Sequence, residues 1–193
     1  MYKFFQILVW PFYRLFHPIK VIGKNNIPKG RAILVCNHYS NSDPVVLGTA
    51  IFRQQHFLGK KELFQKKGIA KWFLKVIGAV PIDRQNVDLK AIKTCIKLLK
   101  EEKLLTIFPE GTRNKINDDL QEIKNGAGMI ALKAGAPIVP MYLAKRPKAF
   151  RRNKLIIGEP ITMEKYAGQK LSSEILDEIG NLLAGKMNSL RNI

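Results

Sequence analysis

The chain of 193 residues carries 33 Lys/Arg against 15 Asp/Glu, a formal charge of +18 at pH 7, with 46% hydrophobic and 25% charged residues. That length suits one domain with a sizeable core, and that balance excludes a disordered chain. The charge calls for an anionic partner (nucleic acid, an acidic membrane, phosphorylated substrates or an acidic protein), and residues 1–80 hold thirteen Lys/Arg with only Asp43 and Glu62 against them.

The amino terminus comes first. Residues 4–16 read FFQILVWPFYRLF, interrupted by Gln6, Pro11 and Arg14. The run falls short of the ~20 apolar residues of a spanning helix. No small-residue cleavage site follows, so a signal peptide is not expected. Seven of the aromatic residues fall within the first sixteen positions. Rings mixed with Lys3 and Arg14 suit a segment lying in the headgroup layer, against the plainer reading of a helix packed on its own domain. We expect residues 1–20 to be a membrane-associating segment and residues 21–193 to form the domain.

Downstream, apolar β-rich runs alternate with helical patterns. Strands are expected at 31–36, 79–82, 104–108, 137–143 and 154–157, and helices at 44–52, 68–77, 87–101, 125–134 and 171–190. The alternation predicts a single α/β domain with a mostly parallel central sheet flanked by helices. In the helix over 68–77, Ile69, Trp72, Phe73, Val76 and Ile77 form one face, which packs on the sheet or, with Lys71 and Lys75 beside it, meets a membrane. Ile175, Ile179, Leu182 and Leu183 give the last helix a packing face. Cys36 and Cys95 lie in apolar or helical runs and read as buried thiols of a reducing cytoplasm.

Four blocks carry the chemistry: N-H-Y-S-N-S-D at Asn37–Asp43, G-A-V-P-I-D-R at Gly78–Arg84, F-P-E-G-T-R at Phe108–Arg113 and A-P-I-V-P at Ala136–Pro140. His38 follows a buried strand and precedes Asp43 by five residues. On one helix that spacing turns about 500°, so the pair needs a bend, which Ser40-Asn41-Ser42 supplies. Asp43 at the N-cap with Pro44 at N1 opens the next helix. The carboxylate can then fold back onto the imidazole, fix its tautomer and leave the other ring nitrogen as a base. An unperturbed imidazole titrates near ~6.5 and is largely neutral in the cytoplasm. Taken alone, a histidine with a capping aspartate is usually structural; the later blocks change that. His17 and His56 have no ligand spacing to His38, so no metal is expected. Ser40 is poorly placed as a nucleophile, which favours direct attack by an acceptor alcohol.

Arg84 and Arg113 each follow a strand-like run, and a guanidinium fork matches phosphate oxygens. Gly111 permits close backbone approach and Thr112 adds a hydroxyl donor. Glu110 beside a phosphate site needs a partner of its own: Arg113, Arg84 or a ligand hydroxyl. The fourth block reads as a core strand preceded by Gly135, a C-terminal helix glycine.

In this order and spacing, from about Gly23 to Pro140, the blocks resemble the glycerolipid acyltransferases, specifically the 1-acylglycerol-3-phosphate acyltransferases. The resemblance implies acyl transfer from a thioester of acyl carrier protein or coenzyme A to the sn-2 hydroxyl of lysophosphatidic acid, giving phosphatidic acid. It implies His38 and Asp43 as catalytic residues, and Arg84, Glu110, Gly111, Thr112 and Arg113 as acceptor-binding residues. It implies no cofactor beyond the acyl donor. It also implies a peripheral or monotopic place on the cytoplasmic face of the cell membrane, against an anionic surface. The same chemistry on glycerol 3-phosphate or another lyso-phospholipid is the alternative. Charge alone also fits a nucleic-acid-binding module, but the aromatics gather at the amino terminus instead of lining a basic groove, and nucleic acid is not an expected partner.

Overall fold

The computed structural model describes residues 2–65, 68–83, 86, 88–110 and 125–193. Seven strands, β1 (Ile19–Ile22), β2 (Ala32–Cys36), β3 (Gln55–Lys60), β4 (Val80–Ile82), β5 (Leu104–Ile107), β6 (Ile138–Leu143) and β7 (Asn153–Ile157), form one sheet in the order β1-β7-β6-β2-β5-β3-β4. Every pair is parallel except β6 with β7, which is antiparallel. The helices among the described residues are α1 (Tyr2–Phe16), α2 (Asp43–Ala50), α3 (Lys61–Gln65), α4 (Ile69–Val76), α5 (Leu89–Lys100), α6 (Gly126–Ala134) and α7 (Ser173–Arg191).

The mostly parallel α/β sheet follows the expected alternation. Parallel strands need crossover helices, and the helices then cover both faces, so the central strands are apolar throughout. All five residues of β2 are buried. Its Ile33 and Val35 pack with α5, α6 and α7, while Ala32, Leu34 and Cys36 pack with α2 and α4 on the opposite face. Asp88 caps α5 by accepting the Ala91 N–H at 2.9 Å, and Ser172 caps α7 by accepting that of Ile175 at 3.4 Å. Gly135 ends α6 at φ 57°, as its position suggests.

Two strands escape the sequence pattern. β3 opens with Gln55 and His56, both buried, where an apolar run would have marked a strand. Gln55 is tolerated because its amide donates to Leu47 O at 3.0 Å and its carbonyl accepts the Thr106 hydroxyl at 3.0 Å. β1 is a four-residue edge strand that carries Lys20 and, among the described residues, is paired by β7 alone.

In α4, Val76 and the following Ile77 are buried, Phe73 packs on the core, and Trp72 stays exposed. In α7, Ile179, Leu183, Met187 and Leu190 are buried, whereas Leu182, expected on that face, is exposed. α1 lies on α2: the buried Gln6 amide donates to Gly48 O at 2.6 Å and Ile51 O at 3.2 Å. Its other face leaves Phe4, Ile7, Leu8, Phe12 and Leu15 exposed. No helix among the described residues is long and apolar enough to cross a membrane. Cys36 and Cys95 are buried free thiols, and burial pushes Cys95 up to about 12.

Candidate active site

The site forms where β2 and β5 end. These strands pair in parallel with Val35 opposite Ile107. His38 lies three residues past Val35, and Glu110 three residues past Ile107, so both emerge at the carboxyl edge of the sheet. In open α/β sheets ligands bind along that edge.

His38 Nδ1 lies 2.7 Å from Asp43 Oδ2. The bend across Ser40–Ser42 brings them together, as the spacing requires. Asp43 has no exposed surface, and its Oδ2 also accepts the backbone N–H groups of Tyr39 at 2.7 Å and Ser40 at 2.8 Å. The Ser40 hydroxyl reaches Oδ1 at 3.2 Å. The helix start is shifted by one position from expectation. Ser42 is the N-cap, without a side-chain cap bond, and Asp43 is the first residue of α2. The carboxylate is therefore free of capping duty and turns back over the preceding loop. That loop supplies hydrogen-bond donors to both oxygens of the carboxylate. With Nδ1 turned to the carboxylate, Nε2 is the ring nitrogen left outside this contact.

Two residues of the third block shape His38. The Phe108 ring stacks on the imidazole, centroids 4.1 Å apart and planes at 18°. Glu110 Oε1 accepts the His38 backbone N–H at 3.1 Å. Glu110 is only 4% exposed, and its Oε2 is buried without a hydrogen-bond partner among the described residues. Burial, with the neighbouring Asp43 charge adding and the His38 N–H opposing, raises the Glu110 carboxyl to about 7.

Asn37 anchors the strand end. Its amide donates to Leu143 O at 3.0 Å, and its carbonyl accepts the Leu143 N–H at 2.8 Å. The side chain thus continues the β2–β6 ladder past its last pair, Cys36 with Met141, while the backbone turns away to present His38. Neither Asn37 nor Phe108 had a role in the sequence reading. The available signal was a polar residue directly after a fully buried strand, which must find partners.

Of the second block, Gly78 takes φ 63°, and its carbonyl accepts the His56 Nδ1–H at 2.9 Å. A β-carbon there would sit 2.6 Å from His56 Nδ1, so the turn between α4 and β4 requires glycine. Asp83 closes the next turn, accepting from Asn86 N at 3.3 Å. Arg84, Gly111, Thr112 and Arg113 lie outside the described residues. The fourth block runs into β6, which is buried throughout. Among the described residues, no group of His, Cys, Asp and Glu is arranged to hold a metal. Beside Phe108, a cleft of about 380 Å³ opens between Leu58, Ile82, Ile92, Ile107 and Ile130.

The Acyltransferase family profile matches residues 18–144. The 1-acyl-sn-glycerol-3-phosphate acyltransferase of Bacillus subtilis is 38% identical over 199 residues, covering 100% of this chain and 98% of that protein. That of Streptococcus pneumoniae is 32% identical over 165 residues, covering 82% of this chain and 60% of its own length. The crystal structure of the 1-acyl-sn-glycerophosphate (LPA) acyltransferase PlsC from Thermotoga maritima superposes with a TM-score of 0.72 at 26% identity, covering 100% of this chain and 79% of that one.

Proposed function

The chain belongs to the acyltransferase family, and from that membership we propose that it transfers an acyl group to the sn-2 hydroxyl of lysophosphatidic acid, giving phosphatidic acid. The observation that carries the mechanism is the 2.7 Å contact between His38 Nδ1 and the fully buried Asp43 carboxylate. His38 Nε2 takes the proton of the sn-2 hydroxyl as that oxygen attacks the carbonyl carbon of an acyl thioester. The tetrahedral intermediate collapses, the carbon–sulfur bond breaks, and the imidazolium returns the proton to the departing thiolate. Asp43 holds the Nδ1–H tautomer and stabilises the imidazolium, as in other His–Asp pairs.

The donor is a thioester of acyl carrier protein or coenzyme A, and the excess positive charge suits either acidic partner. The cleft beside Phe108 is apolar enough for an acyl chain and falls within the usual ~300–1,000 Å³ of ligand pockets. Arg84 and Arg113 bind the acceptor phosphate, and Gly111 and Thr112 are further acceptor-binding residues. Glu110 contributes by holding the His38 backbone. The exposed apolar face of α1 lies in the headgroup layer, on the cytoplasmic face of the cell membrane.

The test is direct. Purified protein in detergent receives lysophosphatidic acid with each acyl thioester in turn, beside a His38→Ala control, and phosphatidic acid is measured by mass spectrometry. Product from the unmutated protein alone supports the reading and names the donor. Equal turnover by His38→Ala would sink the proposed base. Product only with glycerol 3-phosphate would move the acceptor.

A further inference from the structure

The carboxyl edge that carries His38 also carries a cationic pocket. β2 and β6 are parallel, β6 and β7 antiparallel, and β7 and β1 parallel. The starts of β7 and β1 therefore lie at the same edge as the ends of β2 and β6. Three inter-strand spacings, about 14 Å, separate β1 from β2. At this edge Arg14, Lys20 and Arg152, with Pro18 and Ile19, enclose a pocket of about 400 Å³. None of the three cations has an ion pair among the described residues. The segments that build the pocket supply none: residues 1–42 and 125–158 contain no Asp or Glu.

The pocket is held in shape. Asn153 donates its amide to Pro18 O at 3.2 Å and Arg151 O at 3.1 Å, tying the β6–β7 loop to the chain leaving α1. The Phe150 N–H donates to Phe16 O at 2.6 Å, and the two rings meet edge to face at 5.4 Å. Phe150 adopts φ 56°, a left-handed conformation that costs a bulky residue ~1–2 kcal/mol, yet its side chain is 77% exposed. A strained backbone that drives a large ring into solvent, beside cations and the bare face of α1, has one chemical complement. Rings sit below the headgroups of a bilayer and cations sit at its phosphates. An acidic protein would complement the charge and leave the rings of Phe16 and Phe150 and the side chains of Phe12 and Leu15 uncovered.

We propose that the pocket formed by Arg14, Lys20 and Arg152 binds the phosphate headgroup of an anionic phospholipid in the bilayer, and that Phe16 and Phe150 enter the membrane beside it. This site rests on the membrane reading of α1. It turns the carboxyl edge, and with it His38, toward the surface that holds lysophosphatidic acid.

Vesicle sedimentation tests it. Phosphatidylcholine vesicles report on the apolar face alone, and vesicles containing phosphatidylglycerol report on the pocket as well. The wild type should bind the anionic vesicles on the order of 100-fold more tightly, for three cations at about 1 kcal/mol each. Arg14→Gln with Arg152→Gln should weaken that binding roughly 30-fold, for two cations at about 1 kcal/mol each, and leave binding to neutral vesicles unchanged. Lys20→Gln should give about fivefold on its own. Lys93→Gln with Lys100→Gln, which removes two charges from α5 on the other face of the sheet, should keep the binding. Wild-type protein that binds both vesicles equally overturns the site and spares the membrane reading; protein that binds neither overturns both. Equal loss in the α5 variant reduces the effect to bulk charge and also overturns the site. A double variant that keeps vesicle binding and loses acyl carrier protein assigns the pocket to the carrier, against the proposal.

Discussion

Glu110 holds His38 by the backbone: its Oε1 accepts the His38 N–H at 3.1 Å across 72 residues of sequence. The parallel register of β2 and β5, with Val35 opposite Ile107, makes this meeting possible, since each residue lies three positions beyond its strand partner. The base therefore stands on a frame built by the third block, whose Phe108 also stacks on its ring.

His38→Ala should lower kcat by about 10²–10⁴ with the fold intact, the usual span for a positioned proton acceptor. Asp43→Asn should lower kcat within the same range and in addition lower stability by about 2 kcal/mol, because the carboxylate also accepts the Tyr39 and Ser40 amides. Steady-state kinetics paired with thermal melts separates the two. A melt of Asp43→Asn identical to wild type would refute the second role of Asp43.

Phe108→Leu keeps the side chain apolar and removes the stacked ring. Such contacts are worth ~0.5–1.5 kcal/mol. We expect up to about tenfold loss in kcat with the acceptor KM little changed. A raised KM with an unchanged kcat would place Phe108 in acceptor binding instead of ring positioning.

The Glu110 carboxyl stands at about 7 in the folded protein against an ordinary 4.5. Between those values the folded state keeps a proton that the unfolded chain releases. This contribution to stability is therefore fully present below pH 4.5 and is lost as pH rises through 7. Glu110→Gln preserves the carbonyl that accepts the His38 N–H and removes the ionisation. Its stability relative to wild type should climb between pH 5 and 8, by on the order of 3 kcal/mol. Melting curves across that range check it, and a difference that stays flat with pH contradicts it.

Asn37→Ala should destabilise by about 2–4 kcal/mol, since Leu143 loses the partners of both its N–H and its C=O at a buried strand end. Urea unfolding gives the number. A loss below about 0.5 kcal/mol would mean that the β2–β6 ladder does not depend on this side chain.

The central strands, the main helices and the Asp43 bend were legible in the sequence because each depends on residues close along the chain. Ala32–Cys36 is apolar throughout and buried throughout, and Gly135 stops α6 where its backbone freedom is needed. The five-residue gap from His38 to Asp43 demanded a turn whatever surrounded it. β3 was not legible: Gln55 and His56 look like loop residues until Leu47, Thr106 and Gly78 supply their partners. β1 needed β7, more than a hundred residues away, to become a strand at all.

By itself the sequence determined the central strands β2, β5 and β6, the main helices, the His38–Asp43 pair and the four blocks, since periodicity, capping and short spacing act within a few residues. Only the tertiary structure decided that Glu110 holds the His38 amide, that Asn37 extends a ladder, and that Arg14, Lys20 and Arg152 share one pocket on the edge where His38 stands. Strand order and register, which no local pattern specifies, bring these residues together.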